Sequence, residues 1–183
     1  MKIAGILLAA GRSTRFGAEN KLVAPLLGRP LLQHAIDPMR GAPLEWRLLV
    51  RSEDAPEMEG FTTIRVASGQ DMSRSLAAGI AAARDLGADA ALVALGDMPF
   101  VTIGHLTKMI ASCAGRHSLL ASDDGKRRSP PALFGSDWFD DLCAATGDSG
   151  GRALLAHATP IPVPAAMLRD IDTREDLGAA ERA

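Results

Sequence analysis

Cationic side chains and a hydroxyl group follow an apolar segment near the amino end of the chain. Residues 3–8 form a continuous apolar run that ends at the small residues Ala9, Ala10 and Gly11. The following ten residues contain the polar side chains Arg12, Ser13, Arg15 and Lys21. Small residues let backbone amides approach a ligand closely, and cations neutralise phosphate charge. We therefore predict a loop that holds a polyphosphate.

The glycine spacing excludes two common phosphate-binding loops. The dinucleotide fingerprint requires G-x-G-x-x-G, whereas Gly11 and Gly17 are separated by five residues with no middle glycine. A Walker loop requires G-x-x-x-x-G-K-[ST], but Lys21 lies four residues after Gly17 and precedes Leu22. A redox dinucleotide enzyme is therefore disfavoured. A basic, solvated turn without a ligand remains the alternative for this segment.

A second apolar run ends in a carboxylate. Residues 91–95 are apolar, and Gly96 and Asp97 follow them before Pro99. Asp97 would project from the carboxyl end of a buried strand, where its hard oxygen atoms suit Mg²⁺ that bridges phosphate oxygens. The alternative is that Asp97 only caps the turn before Pro99.

Apolar runs alternate with amphipathic segments along the chain. This alternation predicts a three-layer α/β/α fold, in which helices cover both faces of a mostly parallel, Rossmann-like sheet. Strands are predicted at 2–8, 46–50, 62–66 and 90–95, and near 118–121, 131–134 and 160–163. Helices are predicted at 30–39, 73–86, 102–114, 136–145, 150–157 and 173–181. Ser73 and Thr102 are the predicted N-caps of two helices. Ligands of such sheets bind beyond the carboxyl ends of the strands.

The composition limits the classes of partner. The 183 residues are 47% hydrophobic and 23% charged, with a net charge of −2. We expect one domain over residues 1–183, with no nucleic-acid or membrane surface because no basic cluster is flanked by aromatic residues. Two distant cysteines make neither a disulfide framework nor a thiolate metal site. We expect a cytoplasmic protein, since neither a signal peptide nor a long apolar run is present.

The segment from Leu8 to Leu22, L-A-A-G-R-S-x-R-F-G-x-x-N-K-L, resembles the opening motif of nucleotidyltransferases that attach a nucleoside monophosphate to a phosphorylated acceptor. The resemblance implies that Arg15 and Lys21 neutralise the nucleotide phosphates. It also implies a nucleotide-side wall, which comprises Leu8, Ala9, Ala10 and Gly11, with Arg12 and Ser13 alongside. Gly96-Asp97-Met98-Pro99 stands at the metal-binding aspartate of that family.

Two more segments are similar to parts of these enzymes. The segment 69–76 meets the base and ribose in related enzymes, which implies nucleotide contacts for Gly69 and Ser75. Residues 170–177 resemble the closing motif, and Thr173 with Asp176 also forms a capping pattern. We expect Asp172 to be the second metal ligand, because strand alternation places it on the same face as Asp170 and it adjoins the helix start. A purely structural role for these aspartates is the alternative.

The segments 129–134 and 146–155 resemble the second half of molybdenum cofactor cytidylyltransferases, and with the other motifs the match spans nearly the whole chain. Members usually have a glycine just before the Pro-Pro pair, where this chain has Arg128 and Ser129. The run Lys126-Arg127-Arg128 has two interpretations, a solvated hairpin tip, which we favour slightly, and a site for acceptor phosphate.

The resemblance implies transfer of CMP from CTP to the terminal phosphate of a molybdopterin-type cofactor, with Mg²⁺ as cofactor and pyrophosphate as product. Catalysis would rest on charge neutralisation by Arg15, Lys21 and metal-bound Asp97. Guanylyltransferase relatives tend to have Ala-Gly-Gly where this chain has Ala9-Ala10-Gly11, so the methyl group of Ala10 favours cytosine over guanine.

Three alternatives stay open beside the cytidylyltransferase hypothesis. The first is a guanylyltransferase that uses GTP with the same cofactor, and the second is a nucleotidyltransferase for another phosphorylated metabolite. The third is a non-enzymatic carrier of the finished cofactor. The expected protein partner in each cofactor-related case is a molybdoenzyme or its maturation chaperone.

Overall fold

The structure is a computed structural model of the 183-residue chain. It describes residues 1–11, 16, 20–52, 58–69, 71–147 and 151–182. In this part of the chain, none of the helices is long and apolar enough to span a lipid bilayer.

In the described residues, nine strands form two sheets. Seven of them build the central sheet in the spatial order β5-β4-β1-β6-β8-β7-β9, and β2 pairs with β3 in a small hairpin. The strands are β1 (Ile3–Leu8), β2 (Pro25–Leu26), β3 (Arg29–Pro30), β4 (Trp46–Ser52), β5 (Thr62–Val66), β6 (Ala90–Leu95), β7 (Leu119–Asp123), β8 (Arg128–Gly135) and β9 (Thr159–Pro162). All seven predicted strands are therefore confirmed, whereas the β2–β3 hairpin was not predicted.

The central sheet is mostly parallel. β1 pairs in parallel with β4 and with β6, β4 pairs in parallel with β5, and β7 with β9. Only β8 runs the other way among the described strands of this sheet, and it lies between β6 and β7. Because β8 is antiparallel, its first residues lie at the same edge of the sheet as the carboxyl ends of β6 and β7.

Six helices cover the two faces of the sheet in the described part of the chain. They are α1 (Leu31–Gly41), α2 (Met72–Asp85), α3 (Ile103–Ala111), α4 (Phe139–Ala144), α5 (Arg152–Leu155) and α6 (Arg174–Glu181). Side chains of β1 alternate between the two cores, since Ile3 and Leu7 pack on one face and Ala4 and Ile6 on the other. This confirms the predicted three-layer α/β/α fold and explains the continuous apolar run of β1, which is buried on both faces.

Of the two predicted helix N-caps, one is found in the structure and the other is not. Thr102 caps α3 as predicted, because its hydroxyl accepts a hydrogen bond from the His105 amide at 3.3 Å. The prediction for Ser73 is wrong: α2 begins one residue earlier, at Met72, its N-cap is Asp71, and Ser73 is buried inside the first turn. Gly87 follows the end of α2 with φ of +76°, a conformation that suits glycine at this position.

Candidate active site

The residues that follow β1 lie at the carboxyl edge of the sheet. The Ala9 amide continues the strand pairing by donating to the Val50 carbonyl at 2.7 Å. Leu8 and Ala10 are buried, Ala9 is half-buried and Gly11 is exposed. The predicted phosphate ligands Arg12, Ser13 and Arg15 lie outside the described residues.

Phe16 and Arg174 connect this loop to the last helix. The Phe16 side chain is buried in the core. The Arg174 guanidinium lies 5.5 Å from the centre of the Phe16 ring, which is within the range of cation–π attraction. The first turn of α6 therefore lies against the loop that was predicted to hold phosphate.

Lys21 lies in a short 3₁₀ turn, Lys21–Val23, which begins where the Asn20 side chain accepts a hydrogen bond from the Leu22 amide at 3.0 Å. Its ammonium donates to Asp97 Oδ2 at 2.7 Å and to Asp172 Oδ1 at 2.9 Å. Only 7% of Lys21 is exposed. The structure thus brings together three predicted site residues from distant parts of the sequence, and we call them the Lys21 cluster.

Asp97 reaches the cluster because the ends of β1 and β6 approach each other closely. The Gly96 amide donates to the Leu8 carbonyl at 2.9 Å. A Cβ atom on Gly96 would lie 2.9 Å from Leu32 Cδ1 and 3.3 Å from the Leu8 carbonyl oxygen, which only glycine avoids without a shift of these neighbours. Gly96 therefore places the carboxylate of Asp97 directly beside the loop after β1.

Asp172 is positioned by the segment before α6. The Ile171 amide donates to the carbonyl of Asp97 at 2.9 Å. Thr173 and Asp176 form the predicted capping box, in which the Thr173 hydroxyl accepts from the Asp176 amide at 3.1 Å and the Asp176 carboxylate accepts from the Thr173 amide at 2.8 Å. The strand alternation that we invoked for this segment is wrong, since residues 169–172 form no strand.

The electrostatics of the Lys21 cluster favour additional positive charge. Burial alone would lower the pKa of Lys21, but the charge of Asp97 and the hydrogen bonds to Asp172 and Asp97 outweigh it, so the net pKa lies above the usual value. Two carboxylates face one ammonium, and Asp97 Oδ1 is buried without a hydrogen-bond partner in the described structure. The unpartnered Asp97 Oδ1 is a hard oxygen atom, which fits a divalent cation such as Mg²⁺ or Mn²⁺.

Protein ligands alone do not complete a metal site here. The described ranges contain no group of three or more His, Cys, Asp or Glu side chains that could hold a metal ion. A cation on Asp97 and Asp172 would take its other ligands from water and from substrate phosphate oxygens, as Mg²⁺ commonly does.

The structure places Gly69 and Ser75 at the carboxyl end of β5. Gly69 lies in the turn before α2 with φ of +77°. Ser75 is buried in the first turn of α2, where its amide donates to the Asp71 carbonyl at 3.4 Å. Both residues lie at the sheet edge that carries the Lys21 cluster, since β5 runs parallel to β4 and β1.

A cavity of about 440 Å³ lies at the turn between β7 and β8, and we call it the basic cavity. Of the described side chains that line it, four are cationic and one is acidic. The described lining consists of Asp123, Gly125, Lys126, Arg127, Arg128, Arg152 and Ala156. The predicted hairpin geometry of this segment is confirmed, because β7 and β8 are adjacent and antiparallel.

Arg152 and Arg174 were not among the predicted site residues. Arg174 contacts Phe16 across about 160 residues of sequence, so no local pattern could have indicated the pair. Arg152 follows a glycine pair, which is a weak signal for a loop that reaches a site.

A family model described as a MobA-like NTP transferase domain matches residues 5–161. Among curated proteins, the purine catabolism protein PucB of Bacillus subtilis is 29% identical, with 98% of this chain and 96% of that protein covered. A molybdenum cofactor guanylyltransferase of Shewanella pealeana is 26% identical, with 84% of this chain and 77% of that protein covered.

Solved structures share the fold over the full length. Rv0371c of Mycobacterium tuberculosis superposes with a TM-score of 0.84 at 25% identity, covering 100% of this chain and 98% of that one. A manganese complex of the same mycobacterial protein has a TM-score of 0.81 at 24% identity, with both chains fully covered. A nucleotidyl transferase of Methanothermobacter has a TM-score of 0.81 at 21% identity, covering 99% and 96% of the two chains.

Proposed function

The chain belongs to the MobA-like NTP transferase family, and we propose that it transfers CMP from CTP to the terminal phosphate of a molybdopterin-type cofactor. The products would be the cytosine dinucleotide form of the cofactor and pyrophosphate. The single observation that carries the proposal is the Lys21 cluster, in which one ammonium lies 2.7 and 2.9 Å from two carboxylates at the sheet edge.

We include the segment after β9 in the same domain, so that residues 1–183 act as one unit. Leu168, Ile171 and Ala180 pack in the hydrophobic core that contains Leu7 of β1. The hydrogen bond from the Ile171 amide to the Asp97 carbonyl supports this assignment, because it joins the segment to the candidate site.

The proposed reaction is a substitution at the α-phosphorus of the nucleotide. An oxygen of the acceptor phosphate forms a bond to the α-phosphorus, and the bond from the α-phosphorus to the oxygen that bridges to the β-phosphorus breaks. The electron pair of that bond leaves with pyrophosphate. The second pKa of a phosphate monoester is about 6, so the attacking oxygen is already ionised near neutral pH and no general base is required.

The main barrier is the repulsion between two polyanions, and the residues of this chain act on that barrier. Lys21, and Arg15 in the loop after β1, would neutralise the triphosphate, while the backbone of residues 8–11 would hold it in position. Gly69 and Ser75 would contact the base and ribose. Positioning and charge neutralisation are the main contributions that a protein makes to such a transfer.

Asp97 and Asp172 are the residues that would hold a divalent cation. When bound, Mg²⁺ would neutralise charge on the phosphate oxygens and align them for the substitution. The unpartnered oxygen of Asp97 supports this role. The manganese complex of the mycobacterial relative is consistent with a divalent cation in this fold.

Two observations favour different nucleotides. The methyl group of Ala10, two residues after β1, would reduce the room for a purine and so favour CTP. The Shewanella relatives, in contrast, are named guanylyltransferases. A single methyl group separates substrates by only about 1–3 kcal/mol, so GTP is the second candidate.

The test is a pyrophosphate-release assay with Mg²⁺, in which CTP and GTP are compared with and without molybdopterin. Release that requires molybdopterin and is faster with CTP supports the proposal. Faster release with GTP would assign the chain as a guanylyltransferase. No release with either nucleotide would indicate a carrier or a different acceptor.

The Ala10→Gly variant tests the basis of the nucleotide preference. If the methyl group excludes guanine, the variant should raise the ratio of GTP to CTP turnover by about tenfold. An unchanged ratio in a variant with an unchanged melting temperature would contradict the argument from Ala10.

A further inference from the structure

The basic cavity carries an excess of positive charge in a chain with net charge −2. Lys126, Arg127, Arg128 and Arg152 line it, and Asp123 is the one acidic residue among the described residues of the lining. Surface cations commonly pair with nearby carboxylates. Among the described lining residues, four cations and one carboxylate give this concave surface a positive potential, which attracts anions.

Hydrogen bonds within the β7–β8 turn fix the backbone that carries part of this positive charge. The Asp123 carboxylate accepts hydrogen bonds from the Gly125 amide at 2.6 Å and from Arg128 Nε at 3.4 Å. The Asp124 carboxylate accepts from the amides of Lys126 and Arg127, both at 2.9 Å. These bonds hold the pKa of Asp124 below its usual value.

The cations differ in how they are engaged. Arg128 donates to the Ala156 carbonyl and to Asp123, and Arg127 donates to the Leu168 carbonyl at 3.2 Å. Lys126 and Arg152 have no ion-pair partner in the described part of the chain. Two cations are thus held by hydrogen bonds within the fold, and two more, one from the β7–β8 turn and one from α5, are available to a ligand.

The cavity lies at the sheet edge that carries the Lys21 cluster. In the antiparallel register of β6 and β8, Val93 pairs with Ala132. Asp97 follows Val93 by four residues and Arg128 precedes Ala132 by four residues, so both project beyond the same edge. An anion in the basic cavity would therefore lie on the β7–β8 side of the proposed nucleotide site.

We propose that the basic cavity binds a phosphate group, with Lys126 and Arg152 as its ligands, and that in the reaction this group belongs to the acceptor. The volume of about 440 Å³ is ample for a phosphate and part of its organic substituent. Guanidinium groups suit phosphate because their donors match two of its oxygens at once. The assignment to the acceptor rests on the proposed function, whereas the phosphate site itself does not.

The site is tested first by binding of inorganic phosphate and of pyrophosphate to the full chain, followed by amide chemical shifts in NMR spectra. We expect shifts at Gly125, Lys126 and Arg152, and at least tenfold weaker phosphate binding in the Lys126→Ala/Arg152→Ala double variant. The control is Arg116→Ala, which removes an exposed arginine paired with Asp137, far from this turn. Shifts confined to other segments, or equal affinity in both variants, would overturn the proposal.

The source of the phosphate is tested by steady-state kinetics with molybdopterin as acceptor and Mg²⁺ with CTP or GTP. If the acceptor occupies the cavity, the double variant raises the KM for molybdopterin at least tenfold and leaves the KM for the nucleotide unchanged. A raised nucleotide KM would assign the cavity to the triphosphate or pyrophosphate instead. If no transfer occurs at all, the proposed function fails, but the phosphate-binding measurement still decides whether the site exists.

Discussion

The Lys21 cluster and the basic cavity lie at one edge of the same sheet, yet they are built in opposite ways. In the cluster, Lys21 contacts two aspartates that lie 76 and 151 positions later in the sequence. Its ammonium is buried, and the three residues carry two carboxylates and one cation. The cavity takes most of its charge from Lys126, Arg127 and Arg128, at the turn and the start of β8, and its described lining has three cations more than it has carboxylates. The first arrangement attracts a cation and the second attracts an anion.

This difference suggests a division of labour between the two halves of the chain. The half with parallel strands β1, β4, β5 and β6 carries the predicted nucleotide loop and the ion pair between Lys21 and Asp97. The antiparallel strand β8 returns the chain to the same edge and presents cations there. An edge with both signs of charge can hold two polyanionic substrates and a divalent cation at once.

The largest expected effect is that of Asp97→Asn. The amide keeps the shape of the side chain but removes the charge that would hold the cation, so turnover should fall on the order of 1000-fold. Pyrophosphate release against Mg²⁺ or Mn²⁺ concentration measures it, with Asp140→Asn as the control because Asp140 is exposed on α4. If the metal titration curve of the variant matches that of the unchanged chain, Asp97 does not bind the metal ion.

The Lys21→Ala variant should lower turnover at least about 100-fold, because a preorganised charge contact to the nucleotide is lost. It also leaves Asp97 and Asp172 facing each other without the ammonium. We therefore expect Mg²⁺ to raise the melting temperature of this variant more than that of the unchanged chain. Lys108→Ala, which removes an exposed lysine of α3, is the control.

The free energy of unfolding at alkaline pH provides a second measurement on Lys21. Since the pKa of Lys21 is raised in the folded state, its stabilisation is complete below the unfolded value of about 10.5 and is lost as the pH rises through the folded pKa. The unchanged chain should therefore lose more free energy of unfolding above this pH than Lys21→Ala does. Parallel stability curves for the two chains would mean that the ammonium is not held by the carboxylates in solution.

The Asp124→Ala variant tests whether the basic cavity depends on its local turn. It removes the acceptor of two backbone hydrogen bonds and so loosens Lys126 and Arg127. We expect phosphate affinity to fall about fivefold, since a less ordered site binds more weakly, while metal binding at the Lys21 cluster stays unchanged. Isothermal titration with phosphate and with Mn²⁺ measures both, and a change in the Mn²⁺ affinity would show that the two regions are not independent.

The smallest effect is expected for Thr173→Ala, compared with Thr102→Ala. Each variant removes the side-chain oxygen that caps a helix and should lower the free energy of unfolding by about 1 kcal/mol. Only the cap at Thr173 adjoins Asp172, so only that variant should also weaken Mn²⁺ binding. Equal Mn²⁺ affinity in the two variants would show that the capping box does not position Asp172.

The sequence was informative wherever a local pattern determines the structure. The apolar run of β1, the carboxylate after β6 and the cap at Thr173 each depend on neighbouring residues, and each is found as predicted. The predicted proximity of Asp97 to the loop after β1 followed from the rule for parallel strands and is also found in the structure.

Features that depend on distant residues could not be predicted in this way. The β2–β3 hairpin has strands of two residues each, too short for any periodicity, and its turn places Leu27 at φ of +49°, a conformation for which leucine gives no signal. Ser73 has the chemistry of a cap, but packing buries it and the helix starts earlier. The contact between Lys21 and Asp172 exists only because the segment before α6 folds back onto the sheet edge.

The hydrogen bond from the Ile171 amide to the Asp97 carbonyl gives this site a natural reporter. The side chain of Asp97 accepts a hydrogen bond from the Lys21 ammonium, and its backbone carbonyl accepts one from the Ile171 amide. A ligand that stabilises the first hydrogen bond therefore also stabilises the second. The exchange of the Ile171 amide proton with deuterated solvent should consequently slow when the cluster is occupied. The exchange rate of this one amide proton thus reports whether the site is occupied, and no catalytic turnover is needed.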